Sequence, residues 1–345
     1  MFPRAGGDRV SVTDPEAHAS PDASDDRSDG RGDGPSDRRS LATSLGPALA
    51  ETCDNRLGPI TWFKADWQRG GAATGTASYD HDGGRAEVVV KIPVVRRELT
   101  WLQRLQDGET PVVPRLYAAG VEIGGYDLAW AVMERFAHGP LGLHWHDQHV
   151  PRVAEAAARF HAAAGRYDVD EPPRDEPWEA LLRDAMESIR INQVENERGW
   201  TESLKRLGPR LSALVEEWNA RDVGGWLHGD LHLANAMSRT GIDDGAVCLI
   251  DLAEVHSGHW LEDAVFLERQ LWARPERLKR HKPVRAIAAA RRTLGLPVEA
   301  DYPRLAMIRR LLLAATAPRF IRSEGHPAHL AACLRRVKSA LDELK

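Results

Sequence analysis

The sequence predicts an α+β fold of two lobes, a small antiparallel sheet followed by a larger, mainly helical part. Three observations predict it. Residues 60–136 carry β-branched and aromatic runs separated by glycine and proline turn signals. Beyond residue 137 apolar residues recur at helical spacing instead. That helical pattern is interrupted once, by Trp226-Leu227-His228-Gly229-Asp230-Leu231-His232-Leu233-Ala234-Asn235 and by a short apolar run that ends in Asp251. The expected organisation is a tail over 1–40, a small lobe over 41–136 and a helical lobe over 137–345.

Residues 1–40 are rich in Asp, Ser, Gly, Arg and Pro and nearly devoid of branched apolar side chains. Such a segment cannot offset the entropy of ordering, so it is expected to be disordered. A helix is expected over Leu41–Cys53. Residues 60–67, 76–79 and 86–93 read as three antiparallel strands. Gly70-Gly71-Ala72-Ala73-Thr74-Gly75 is then a glycine-rich first turn, and Asp82-Gly83-Gly84 is a hairpin signal. Val95–Leu105 has helical spacing, and 112–120 and 129–136 complete a five-stranded sheet. Helices are expected over 152–165, 178–197, 203–219, 260–272, 284–294, 302–317 and 328–344.

Composition is ordinary for a globular chain, 42% hydrophobic and 28% charged. A net charge of -5 over 345 residues gives no reason to expect a nucleic-acid partner. No apolar run is long enough to span a bilayer, so no membrane partner is expected either. The cysteines, Cys53, Cys248 and Cys333, are odd in number, widely spaced and without a C-x-x-C. They read as reduced thiols of a cytoplasmic protein, and the N-terminus lacks the apolar core of a secretion signal. Oligomeric state is not legible.

The interrupting stretch carries the chemistry. His228, Asp230 and Asn235, followed by an apolar strand and Asp251, have the spacing of a kinase catalytic loop and its metal-binding aspartate. Asp230 can take a proton from an acceptor hydroxyl, since an ordinary carboxylate is ionised at neutral pH. Asn235 and Asp251 offer oxygen ligands, which suits magnesium with phosphates and water completing its octahedron. A zinc reading of His228 and His232 is disfavoured, because a glycine follows His228 and no H-E-x-x-H glutamate is present. Lys91 lies inside the apolar run Val88-Val89-Val90-Lys91-Ile92, like the lysine that holds phosphates in a kinase small lobe. The alternative is an edge-strand lysine facing solvent. Glu98, on the helix that follows, is its candidate partner or else a solvated charge.

His228-Gly-Asp-Leu-His-Leu-Ala-Asn235, with Leu249-Ile-Asp251 and then Gly258 and Asp263-Ala264, resembles the aminoglycoside phosphotransferase and choline kinase family. The resemblance covers about residues 57–345. It implies a protein-kinase-like two-lobe fold and ATP- and magnesium (Mg2+)-dependent phosphorylation of a small-molecule hydroxyl. Carried over, Asp230 is the catalytic base, and Asn235 and Asp251 are the magnesium ligands. Lys91 contacts phosphate and pairs with Glu98, with Gly71 and Gly75 in the glycine loop over the phosphates. Met133, Glu134 and Phe136 form the hinge that meets adenine. His228 and Asp263 brace the catalytic loop.

The glycine loop is not of the common form, Glu98 follows Lys91 unusually soon, and Leu252-Ala253 stands where protein kinases have Phe-Gly. A catalytically silent nucleotide-binding or scaffold protein is the alternative function. A protein kinase is disfavoured by the short interval between Asp251 and Trp260. The acceptor, aminoglycoside-, sugar- or amino-alcohol-like, stays open. Acids at 168–197 would suit a polycation; arginines on the last helices would suit an anion or form a solvated face. Trp145, Trp178, Trp200, Trp260 and Trp272 would stack on a ligand or fill the core.

Overall fold

The computed structural model describes residues 41–64, 72–108, 111–241 and 245–344. The expected tail over 1–40 and Gly71 lie outside the described residues. The fold is α+β, a five-stranded antiparallel sheet joined to a mostly helical remainder. The sheet runs β1 (Thr61–Lys64), β2 (Ala73–His81), β3 (Gly84–Ile92), β5 (Trp130–Glu134) and β4 (Leu116–Gly120), in that spatial order.

Strand alternation gives the two faces of this sheet different tasks. Val88, Val90 and Ile92 of β3 point outward into a core with Ala42, Leu45 and Leu49 of helix α1 (Leu41–Thr52). Val89 and Lys91 point the other way, into the cleft between sheet and helical lobe. Lys91 faces Thr74 of β2 and Ala131 of β5 across the ladders, so its strand is central. The edge-strand alternative for this lysine therefore fails.

A second correction concerns Gly75. Of the expected turn, residues 73–75 are instead part of β2, which begins at Ala73. Gly75 pairs with Trp62 and Val90 and sits on the outward register with Ala73 and Ala77. A Cβ there would meet Ile60 Cγ2 at 2.7 Å and the Thr61 carbonyl at 2.9 Å. The glycine is thus explained by close approach of β1, while Thr74 and Thr76 take the cleft face.

Helix α2 (Arg96–Arg104) buries Glu98, Leu99, Trp101 and Leu102. Its Trp101 packs edge-on against Trp226, ring centroids 4.8 Å apart, which fixes the helix against the strand leading into the catalytic loop. After β5 the chain passes to α3 (His149–Ala164), α4 (Trp178–Ile191) and α5 (Glu197–Asn219). The α4–α5 break comes earlier than the periodicity implies. Gln193 and Asn196 adopt positive φ, and the Asn196 side chain accepts from Gly199 N to cap α5.

Two short antiparallel ladders then frame the polar stretch. β6 (Gly225–Leu227) pairs with β9 (His256–Gly258), and β7 (Ala236–Ser238) pairs with β8 (Val247–Leu249). The chain ends in α6 (Leu261–Arg269), α7 (Pro275–Arg280), α8 (Pro283–Thr293), α9 (Tyr302–Thr316), α10 (Ile321–Glu324) and α11 (Pro327–Glu343). Trp178, Trp200, Trp260 and Trp272 are each 3% exposed or less, so these four fill the core. No helix among the described residues is long and apolar enough to cross a membrane.

Candidate active site

A cleft of about 700 Å³ opens between the inner face of the sheet and the β7–β8 hairpin. Lys91, Glu98, Met133, Glu134, Phe136, Asn235 and Asp251 all line it. Val89, Leu102, Met133, Met237 and Ile250 give it an apolar slot, a shape suited to a flat ring.

Lys91 Nζ donates to both Glu98 oxygens, at 2.7 and 2.8 Å, and lies 3.6 Å from Asp251 Oδ1. Burial alone would pull the lysine pKa down. The Glu98 and Asp251 carboxylates outweigh it and hold the pKa above its ordinary value, so the ammonium stays charged. Glu98 reaches Lys91 although only residues 92–97 separate them, because α2 turns back over β3. Arg97, its neighbour, forks onto Glu171 at 2.7 and 2.6 Å and donates to the Val255 carbonyl, tying α2 to the segment after Asp251.

Asp251 adopts a left-handed conformation (φ 62°), and its carboxylate is half exposed at the cleft beside Lys91. Asn235 turns its Nδ2 onto the Asp230 carbonyl (3.1 Å) and Oδ2 (2.9 Å), leaving its amide oxygen as the atom available to a cation. The donor set at this point is therefore a carboxylate and an amide oxygen, with no sulfur or imidazole hydrogen-bonded to either among the described residues. That set fits magnesium.

Three histidines order the loop, each with a tautomer assigned from its partners. His228 Nδ1 accepts the Asp230 N–H at 3.3 Å, and its Nε2 donates to the Ile250 carbonyl at 3.0 Å. One ring thus joins the backbone of Asp230 to the residue before Asp251. His232 Nδ1 accepts the Asn235 N–H at 3.1 Å, which leaves Nε2–H facing Asp230 Oδ2 at 3.4 Å. Burial would raise the Asp230 pKa, but His232, His228 and the Asn235 amide outweigh burial and hold it below the usual aspartate value. The two rings serve separate partners and do not converge on a metal. His161 accepts from Arg291 at Nδ1 and donates from Nε2 to Asp263 Oδ2 at 3.0 Å.

Asp263, 2% exposed, accepts the backbone N–H of His228 at Oδ2 and of Gly229 at Oδ1, both at 2.9 Å. This clamp requires the glycine. Gly229 has φ +81°, and a Cβ there would meet the Glu254 carbonyl at 2.0 Å and His256 Nδ1 at 2.7 Å. Gly229→Ala is expected to cost at least about 2 kcal/mol, from the positive φ and the collision together. Denaturant unfolding checks it; an unchanged midpoint would contradict the packing described.

Sequence reasoning missed His232 as a partner of Asp230, although H-x-D-L-H placed it two residues away. It also missed Arg239. That guanidinium forks onto Glu134 at 2.7 Å twice and donates to the Pro111 and Val113 carbonyls, holding the end of β5 against the β7–β8 hairpin. The Glu134 side chain is thereby committed to this tie, and the Phe136 ring lies under the same arginine at 5.4 Å. The signal was an arginine four residues beyond Asn235.

A model of the phosphotransferase enzyme family matches residues 75–308. No curated protein matches the chain significantly. Among solved structures, one similar fold is a protein of Ralstonia eutropha JMP134 assigned as an aminoglycoside phosphotransferase. It is 14% identical, with a TM-score of 0.53 over 86% of this chain and 98% of that one. Another is a microcompartment-associated aminopropanol kinase, 16% identical, TM-score 0.50, covering 85% and 94%. A third is a thermostable mutant of the aminoglycoside phosphotransferase APH(4)-Ia in a ternary complex with AMP-PNP and hygromycin B. It is 15% identical, TM-score 0.50, covering 87% and 98%. At such identities the likeness shows a shared fold.

Proposed function

The chain belongs to the phosphotransferase enzyme family, and on that premise we propose that it transfers the γ-phosphate of ATP to a hydroxyl of a small molecule. One observation carries the reading. Lys91, Glu98, Asn235 and Asp251 line a single cleft, and Asp230 is held to Asn235 by a 2.9 Å hydrogen bond. Phosphoryl transfer asks for that grouping, since it needs placement and charge stabilisation more than covalent chemistry.

In this reading Lys91, held by Glu98, binds the α- and β-phosphates. Met133, Met237 and Ile250 sandwich the adenine, and the backbone of Glu134–Phe136 meets its edge. Asn235 Oδ1 and Asp251 hold Mg2+, which when bound neutralises charge across the phosphates. Asp230 receives the acceptor hydroxyl proton on its carboxylate, and the His232 N–H keeps that carboxylate ionised and oriented. The AMP-PNP and aminopropanol kinase neighbours support nucleotide use and a small acceptor. Only residues 252–260 separate Asp251 from α6, too few to dock a peptide substrate.

ATP consumption by the purified chain with magnesium, screened over amino sugars, neutral sugars, amino alcohols and nucleosides, tests this. Consumption above the acceptor-free rate with one class is expected. No consumption with any acceptor, together with no nucleotide binding, would contradict it.

A further inference from the structure

A second cavity, of about 420 Å³, lies on the far side of the catalytic loop. Gly229 forms part of its wall, one residue from Asp230. Phe266, also in the wall, stacks on His232, the ring that faces the Asp230 carboxylate (centroids 6.5 Å apart). Its volume lies within the range of small-ligand pockets. This placement makes it the space from which a hydroxyl would approach Asp230, an assignment that rests on the phosphotransferase reading.

The charges in its wall decide what it can admit. Glu176 accepts two contacts from Arg309 Nη1, at 2.5 and 2.6 Å, and one from Trp218 Nε1 at 3.3 Å. Glu262 is 8% exposed and accepts from Arg221 Nε and Nη2, at 3.3 and 3.0 Å, and from His259 N at 2.9 Å. Asp263 is consumed by His161 and the loop amides. Among the described residues of the wall, only Asp175 adds another carboxylate, and it is exposed at the rim. Three of the acids expected to gather a polycation are therefore spent on internal partners, Glu176 on Arg309, Glu171 on Arg97 and Asp184 on Arg319.

The aromatic surfaces are also in use. Arg309 already faces the Trp178 ring at 5.2 Å, and Phe266 faces His232, so neither offers a free face to an ammonium. What remains is an apolar lining from Leu181, Leu313 and Phe320, above buried guanidinium groups of Arg269 and Arg309. An ammonium moved there loses water and meets one unshared carboxylate, Asp175 at the rim.

We infer that the acceptor is an uncharged, hydroxyl-bearing ring compound with an apolar face, of neutral-sugar, cyclitol or nucleoside type, and not a polycation. The full chain with ATP and magnesium is tested against kanamycin as the polycation and against glucose, myo-inositol and uridine as neutral acceptors. Nucleotide binding is measured in parallel by calorimetry. At least one neutral acceptor is expected to exceed kanamycin by 100-fold or more in kcat/KM. Leu181→Asp, which adds a carboxylate to the lining, is expected to shift that ratio at least tenfold toward kanamycin. Preference for kanamycin, or an unshifted ratio in the variant, overturns the inference. Nucleotide binding without turnover of any neutral acceptor overturns it too, yet leaves the phosphotransferase reading standing. Absence of nucleotide binding removes that reading itself.

Discussion

Asp230→Ala is expected to lower turnover by roughly 10²–10⁴-fold while nucleotide binding survives. The reason is positional. Asp230 is held by the Asn235 amide at 2.9 Å and faced by the His232 N–H at 3.4 Å, both on Oδ2. Its other oxygen is the one free to meet an acceptor hydroxyl. Removing the carboxylate removes the proton acceptor, but it touches neither Lys91 nor Asp251. Asp230→Asn is the closer probe, because it keeps the shape and loses the charge. A single-turnover measurement separates this effect from slower product release. Undiminished turnover in either variant would sink the assignment of Asp230 as base.

Lys91→Met is expected to damage both folding and chemistry. Glu98 is 3% exposed, and Lys91 is the cation that meets it. Without the ammonium a carboxylate is left buried near a second one, Asp251. Breaking such a pair from one side costs about 3–5 kcal/mol. Adding Glu98→Gln removes the stranded charge and should return most of the lost stability. It should not return activity, because the cation that would meet the phosphates is still absent; turnover should stay at least about 10²-fold down. Equilibrium unfolding and steady-state kinetics on both variants separate the two roles. Recovery of turnover in the double variant would mean that Lys91 serves packing alone.

Much of this site was legible because its parts are local. His228, Asp230 and Asn235 share one loop, and Asp251 ends the strand that pairs back onto it, so spacing alone grouped them. Lys91 stood out as a charge within an apolar strand, and its central position in the sheet explains why it needed a partner. What stayed hidden was set by distant pairing. Arg309 and Glu176 lie 133 residues apart, so Glu176 looked available when it was not. The four core tryptophans read equally well as ligand platforms, because helical spacing does not say which face is buried. Gly75 looked like a turn, since a glycine required by close strand approach carries the same letter as one required by a loop. The break before α5 depended on Asn196 entering a left-handed conformation, which no periodicity registers.

The same geometry separates two carboxylates by task. Asp251 touches Lys91 and the cleft; Asp230 is held through Asn235 and faces the second cavity's wall through His232. Nucleotide binding should therefore depend on the first and not on the second. The most direct measurement is calorimetric titration of ATP, with and without magnesium, into the wild-type chain, Asp251→Asn and Asp230→Asn. Magnesium-dependent binding is expected in the wild type and in Asp230→Asn, and its loss in Asp251→Asn. Binding that ignores magnesium, or that survives in Asp251→Asn and disappears in Asp230→Asn, would contradict the assignment of the cleft.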